Sequence, residues 1–413
     1  MPYTVPVTWA SPILPWINLP EIVVPINTST AQPSAADLNQ FGIDPRRFER
    51  VYDRINADVR AGLYPGAAIA LARGGRILAE STFGNARLAD RESGTEAIAA
   101  NQETLWLLFS QTKPITSCAL WILAERGLLN LHHPVAFYLP DFACGGKQDI
   151  TAYHLLTHQA GFPSANVPEA AWQDYDLLRR SVCDFALEHA PGSKVFYHGY
   201  AAHWVQAVLI QEITGCDFRR FIKEEVLAPL GLNNIFVGVP ESDHHRLAGS
   251  YQCTAGGEHE ISHEFDNTDF YLSGVPGAAG YATAGDIALF YQMLLGLGQL
   301  NGKRILSPRM VQYATSNQTG DRLDEFFGMP MHRALGVHVR GHSPTIRGLS
   351  SIAHPSTYGH GGVGTSYSFA DPDSGVSFTY LTNSRLPEPG HSKRLEEIFT
   401  IAHSAILNIN NHC

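Results

Sequence analysis

Two strand-turn-strand patterns stand near opposite ends of this chain, with a long stretch written for helices between them. Near the N-terminus, Ala67 to Ala72 leads through Gly74-Gly75 into Arg76 to Thr82. Paired glycines supply the positive φ of a tight turn, so this run predicts an antiparallel hairpin. Near the other end, Tyr367 to Ala370 and Val376 to Thr382 flank Asp371-Pro372-Asp373-Ser374-Gly375, whose composition is that of a turn. Ala334 to Val339 predicts one more strand, and residues 128 to about 300 carry mainly helical patterns broken by Pro and Gly. Strands at both ends with helices between imply an α+β fold, an α/β sandwich: one antiparallel sheet assembled from both chain ends, flanked by helices, with a mainly helical lobe inserted. The expected division is an arm over residues 1–43, a sheet domain from 44–115 and 300–413, and an inserted domain over 116–299, with a cleft where the lobes meet.

Two helices should flank the sheet. Asp44 caps the first, Pro45 takes its first position, and Phe48, Val51, Tyr52, Ile55 and Val59 form one stripe that Gly62 ends. The second, near the C-terminus, carries Leu395, Ile398, Phe399, Ala402 and Ile406 on one face. The arm is rich in Pro, Ser, Thr and Asn, but its Trp9, Ile13, Leu14, Trp16 and Ile17 suggest that part of it packs on the body.

Composition narrows the function. With 413 residues, 44% of them hydrophobic, the chain can bury a large core. A formal net charge of −10 and the lack of a basic run argue against nucleic acid and against an anionic membrane surface. The apolar runs are too short to span a bilayer, and residues 1–20 hold no lysine or arginine, so a signal peptide is not expected. Six scattered cysteines without a C-x-x-C pair fit free thiols, and the expected compartment is cytoplasmic.

Ser110-Gln111-Thr112-Lys113 places a hydroxyl and an amine one helical turn apart, at the start of an apolar helix carrying Ile115, Cys118, Ala119, Ile122 and Leu123. A serine becomes a nucleophile when a neighbour takes its proton, and Lys113 is placed to do so. Free N–H groups at the helix start favour a developing anion there. Alone, Ser-x-x-Lys is commonly solvated helix surface. A second word, Pro191-Gly192-Ser193-Lys194-Val195-Phe196-Tyr197-His198-Gly199, offers a phenol on a short extended piece before a helix near Ala201. Beside a cationic lysine its anion would become accessible and could relay a proton; most tyrosines, by contrast, are simply half-buried and hydrogen-bonded. A third word, Tyr358-Gly359-His360-Gly361-Gly362-Val363-Gly364, surrounds a histidine with glycines at what reads as a strand start. Such a segment lets backbone N–H groups approach a ligand closely, or is a plain Gly-rich turn.

In this order and spacing the three words resemble the serine β-lactamase and penicillin-binding protein superfamily, and within it the class C β-lactamases and family VIII carboxylesterases and transesterases. Leu155-Leu156-Thr157-His158-Gln159-Ala160-Gly161 and Gly277 to Ile287 are similar to further segments of that family, so the likeness runs from about residue 44 to 407. The resemblance implies Ser110 as nucleophile, Lys113 as its base and Tyr197 as partner in the proton traffic. It implies an oxyanion hole from the N–H groups of Ser110 and Val363, and His360, Gly361 and Gly362 as the substrate-binding strand. No metal and no cofactor are implied. The expected partner is a small-molecule ester or acyl donor, with an acyl acceptor as the second possibility.

Departures from the family pattern favour esters. Gly199 stands where the lactamases and peptidases carry an asparagine that holds the substrate amide, and His360 replaces a lysine that faces a carboxylate. A histidine is mostly uncharged at neutral pH. The expected activity is therefore hydrolysis of short acyl esters through an acyl-enzyme. Acyl transfer comes next, then β-lactam or D-alanyl peptide cleavage, and a non-catalytic scaffold last. His259-Glu260-Ile261-Ser262-His263 matches the zinc word H-E-x-x-H but lacks a third ligand and reads as a solvated acidic loop. Gly145-Gly146-Lys147 lacks the remainder of a phosphate-binding loop.

Overall fold

The computed structural model describes residues 35–90, 94–343 and 348–409. Its main sheet has seven strands: β1 Gly66–Arg73, β2 Arg76–Arg87, β3 Ile98–Ala99, β4 His338–Val339, β5 Tyr358–Gly362, β6 Ser366–Asp371 and β7 Val376–Thr382. Their order is β4-β5-β6-β7-β1-β2-β3, antiparallel throughout, so the two ends of the chain meet where β1 lies on β7, with Ala67 opposite Thr382 and Arg73 opposite Val376. Both sequence hairpins form, and the antiparallel sheet flanked by helices is the architecture expected.

Alternation along β1 decides what covers each face. Ala67, Ile69 and Leu71 point into one apolar cluster with Phe48, Val51 and Ile55 of helix α1 (Pro45–Arg60). Asp44 caps that helix, its carboxylate accepting from the N–H groups of Arg46 and Arg47. Ala68, Ala70 and Ala72 point the other way, into a cluster shared with the helical part of the chain. That cluster contains α2 (Thr112–Glu125), α3 (Ala201–Thr214) and α4 (Ala284–Leu295). Three alanines in a row on this face leave room for α4 to lie directly on β1 and β7. The last helix, α5 (Gly390–Ser404), joins α1 on the first face through Leu395, Ile398, Phe399 and Ala402.

Several expectations need correction. Ala334 to Val339 gives a strand over His338–Val339 only, because the chain from 332 to 337 turns under the sheet and pairs Arg333 with His338. The Gly-rich word is a full strand, β5, hydrogen-bonded to β6 along its length, and not merely the start of one. Ile406 lies past the end of α5 and bridges to Ile43. The stretch from 128 to 300 holds α3, α4 and shorter helical turns as expected, with small sheets added among them, including one that joins Trp106–Leu107, Ile235–Val237 and Gly280–Ala282. His259–Ile261 is a strand paired with Tyr251–Cys253, where the two histidines of a zinc word cannot share a helical face; His259 meets Ser384 Oγ and Gly62 O, each at 2.8 Å. Among the described residues no cluster of metal-ligating side chains occurs, and no helix is long and apolar enough to cross a membrane. The arm's Trp9, Ile13, Leu14, Trp16 and Ile17 lie outside the described residues.

Candidate active site

The turn that carries Ser110 is built under constraint. Trp106 and Leu107 pair with Ala282 and Tyr281, and the Leu108 N–H donates to Gly280 O at 2.8 Å. Phe109 then takes φ +47°, a left-handed conformation that a bulky side chain avoids. Such strain costs about 1–3 kcal/mol and persists where the surroundings over-determine it. Here the Phe109 ring packs edge-on against Phe265, centroids 5.1 Å apart. Gln111 pins the turn to β6, donating to Ser366 Oγ at 2.7 Å and accepting from Ser368 Oγ at 2.6 Å. Thr112 Oγ1 donates to Phe109 O and accepts from the Gly280 N–H. Ser110 therefore stands on a single 3-10 turn that runs straight into α2.

Three sequence-selected side chains meet here. Lys113 Nζ lies 3.2 Å from Ser110 Oγ, and the Tyr197 hydroxyl 2.8 Å from it. The amine also donates to the carbonyls of Gly199 (2.7 Å) and Gly277 (2.8 Å), so its polar contacts are one hydroxyl and two carbonyls. Fully buried, Lys113 is held well below the ordinary lysine range, first by loss of solvation and then by the positive charge of Arg333. Tyr197 differs from expectation. Burial of its hydroxyl outweighs its hydrogen bond to Ser110 and the nearby guanidinium, and pushes the phenol up to about 12. The phenol at this site is therefore a neutral proton donor, not an accessible anion.

A layer that sequence reasoning missed lies behind Tyr197. Asp324 and Arg333 form a buried ion pair, the guanidinium donating to Asp324 Oδ2 at 3.0 and 2.6 Å. Asp324 Oδ1 accepts from the N–H groups of Tyr197 (3.3 Å) and Phe326 (3.1 Å). Arg333 sits 4.8 Å from the Tyr197 ring centre and also meets His338 Nε2. His158 grips the tyrosine's neighbours: its carbonyl accepts from the Phe196 N–H at 2.9 Å and its Nδ1 from the His198 N–H at 3.0 Å. His158 stood in a quoted motif; Asp324 and Arg333 stood in none, and no periodicity or spacing marked them.

β5 forms the facing wall. Gly362 ends it where a Cβ would come within 2.5 Å of Leu108 O, so only glycine lets this strand close on the serine turn. Val363 follows, 59% exposed at the rim. His360 is buried, its Nδ1 on Gly361 O at 2.9 Å and its ring against His338, and loss of solvation holds it well below the ordinary histidine range. It is neutral. At Gly199, whose carbonyl holds Lys113, a Cβ would meet no described atom within 4 Å, so the position is open. Ser110, Tyr197, His360, Gly361, Gly362 and Val363 line one cavity of about 480 Å³, walled further by Phe326, Phe327, Met331 and Leu386. A larger groove of about 1210 Å³ opens near Gly74 and Gly75 but contains none of these residues.

Comparison with known proteins identifies the family and the fold. The family model described as Beta-lactamase matches residues 52–403. The Mycobacterium tuberculosis protein named Esterase/beta-lactamase LipL is 29% identical over 314 residues, 68% of this chain and 70% of that one. A crystal structure described as a family VIII carboxylesterase superposes with a TM-score of 0.73 at 27% identity, covering 87% of this chain and 98% of that one. A penicillin-binding protein homologue from Caulobacter crescentus gives a TM-score of 0.75 at 25% identity, covering 88% and 99%.

Proposed function

The chain belongs to the beta-lactamase family, and from that premise we propose that it is a serine hydrolase that cleaves carboxylic esters through an acyl-enzyme on Ser110. One observation carries the reading: the Ser110 hydroxyl stands 3.2 Å from a buried amine and 2.8 Å from a half-buried phenol, at the wall of a cavity. With both N–H bonds of a neutral Lys113 occupied by the carbonyls of Gly199 and Gly277, the nitrogen lone pair faces Ser110. Lys113 takes the Ser110 proton as Oγ attacks the ester carbonyl. The oxyanion rests on the N–H groups of Ser110 and Val363. Tyr197, a neutral donor, protonates the departing alkoxide, and the proton on Lys113 restores the phenol. Water then resolves the Ser110 ester; an alcohol or amine in its place makes the same centre a transferase. In this reading residues 44–115 with 300–413 form a sheet domain, 116–299 an inserted domain, and the cavity lies between them.

The names of the relatives support an esterase, and so does the cavity. His360 is uncharged and the position at Gly199 open, which removes two contacts that a carboxylate-bearing amide would use. The test is intact-protein mass spectrometry after mixing with p-nitrophenyl butyrate, the adduct mapped by peptide. A butyryl mass increment on Ser110 is expected, partitioning to water or to added alcohols. Hydrolysis at an unchanged rate by Ser110→Ala would end the proposal.

A further inference from the structure

Tyr197 has no secondary structure to hold it. It sits on an extended piece between a turn and α3, outside any sheet, next to an isolated bridge from Val195 to Asp324. Its hydroxyl nevertheless reaches Ser110 at 2.8 Å. What fixes the segment is a set of hydrogen bonds to residues distant in sequence: the N–H groups of 196, 197 and 198 donate to the His158 carbonyl, Asp324 Oδ1 and His158 Nδ1. Asp324 in turn is locked by the two-pronged contact from Arg333, whose guanidinium lies under the Tyr197 and Phe327 rings.

Asp324 is fully buried and Arg333 1% exposed. A buried ion pair is poor evidence of stabilisation, since apolar residues of the same volume commonly do as well. Its placement here has another consequence. Lys113 Nζ lies 5.1 Å from the Tyr197 ring centre and the Arg333 guanidinium 4.8 Å from the same centre, with Asp324 paired to Arg333; His158 and His360 pack against that ring, and His198 and His203 against His158. The histidines are neutral by burial, so the permanent positive charge comes from Arg333.

We infer that Asp324 and Arg333 are positioning residues of this site: Asp324 fixes the backbone at Tyr197, and Arg333 sets a permanent positive charge behind the Ser110–Lys113 pair. The inference rests on the function proposed above for its meaning in catalysis, but not for its measurement. A bidentate fork and a fixed charge are separable, which gives the test two arms.

The first arm removes both charges and keeps the shape: Asp324→Asn with Arg333→Gln, so that the Asn oxygen can still accept from the N–H groups of 197 and 326. Lys113 is then titrated directly, by NMR of ε-13C-lysine, its signal identified by its absence in Lys113→Met. Loss of the neighbouring cation should raise the Lys113 midpoint by roughly 1 pH unit or more, and move the acid limb of kcat/KM upward with it. The second arm, Arg333→Lys, keeps the charge and loses the fork. Its Lys113 midpoint should stay put while kcat falls at least about tenfold. Far-ultraviolet circular dichroism confirms folding of each variant. An unmoved midpoint in the neutral pair overturns the electrostatic half. Wild-type kcat in Arg333→Lys overturns the positioning half. The titration is read whether or not Ser110 is the nucleophile, so failure of the catalytic reading would show separately, as full activity in Ser110→Ala.

Discussion

The chain spells a nucleophile, two residues and a lysine twice. Ser110-Gln111-Thr112-Lys113 opens α2, and Cys144-Gly145-Gly146-Lys147 ends a helical turn about thirty residues later. Both amines are buried, Lys113 at 0% exposure and Lys147 at 1%. Both lie near their partner, at 3.2 Å from Ser110 Oγ and 3.5 Å from Cys144 Sγ, and both sit over an aromatic ring, Tyr197 or Phe142. The differences lie in the surroundings. Cys144 is exposed, directs its thiol to Cys183 O and is reached through two glycines at positive φ. Its lysine donates to Phe185 O. Neither a phenol nor a guanidinium is among those contacts. Ser110 has Tyr197 in hydrogen-bond range, Arg333 behind it and a cavity in front. Spacing brings a nucleophile and an amine together in both places; the third group and the cavity are what single out the Ser110 pair as the proposed centre.

Removing each nucleophile breaks the comparison most sharply. Ser110→Ala should lower kcat/KM for p-nitrophenyl butyrate by about 10⁴-fold or more, the scale seen when a nucleophile acting as one unit with its base is removed. Cys144→Ser should stay within about twofold, since an exposed side chain away from the cavity supports no step. A fluorophosphonate label should follow the same division. Comparable losses from both variants would mean that the Cys144 pair belongs to the mechanism.

The two lysines should separate next. Lys113→Met is expected to fail as badly as the serine variant, and Lys147→Met to keep its turnover while losing about 1–3 kcal/mol of stability, the cost of a buried carbonyl left without its donor. The pH dependence adds a sign. Between its depressed folded pKa and the ordinary lysine value, Lys113 is neutral in the fold and protonated in the unfolded chain. The unfolded state then binds more protons, and wild-type stability rises with pH from the folded pKa up to about 10.4, by at most about 1.4 kcal/mol per pH unit. Urea denaturation at several pH values should show the stability gap between wild type and Lys113→Met shifting toward wild type as pH rises through that window. A gap that does not move would remove the depressed lysine.

How much of this was legible without coordinates depended on whether the signal was local. Gly74-Gly75 and Asp371 to Gly375 mark their turns, and the alternation beside them writes the strands. The proximity of Ser110 to Lys113 follows from helical spacing. Tyr197 was reachable through its resemblance to a motif and not through any period. The Asp324–Arg333 layer was invisible because a buried ion pair leaves no trace in periodicity; each residue, read alone, is an ordinary surface charge. The phenol's protonation was legible only in part for a related reason: a neighbouring lysine favours its ionisation and burial opposes it, and the depth of burial is a tertiary quantity.

The polar layer behind the centre should also govern acid stability. His158, His198, His203 and His360 are all lowered by burial, His198 to about 3. Each is neutral in the fold and protonated in the unfolded chain between its folded pKa and about 6.5, so stability is lost as pH falls below that value. Among the described residues neither ring nitrogen of His203 has a hydrogen-bond partner, and so His203→Phe is the variant that removes a titrating group at least cost in contacts. Urea midpoints between pH 7 and pH 4.5 should fall less steeply in it than in wild type, by up to about 1.4 kcal/mol per pH unit. Equal slopes would show that His203 is charged in the fold or not exposed on unfolding.

The smallest effect tests what the centre lacks. At Gly199 the backbone carbonyl is occupied by Lys113, but a side chain would enter open space. Its φ is not among the positive ones, so an ordinary residue fits the backbone there. Gly199→Asn would therefore add an amide near Lys113 without displacing anything. Ester turnover should stay within about threefold, since no contact that holds Lys113 or Tyr197 is touched. Nitrocefin turnover should rise by about threefold to tenfold, the worth of one added hydrogen bond of 0.5–1.5 kcal/mol to the lactam's side-chain amide. The gain stops there because His360 remains neutral and offers the substrate carboxylate no charge. A hundredfold fall in ester turnover would mean that the position is part of the ester's own path. Unchanged nitrocefin turnover would place the bias toward esters at His360, on the opposite wall.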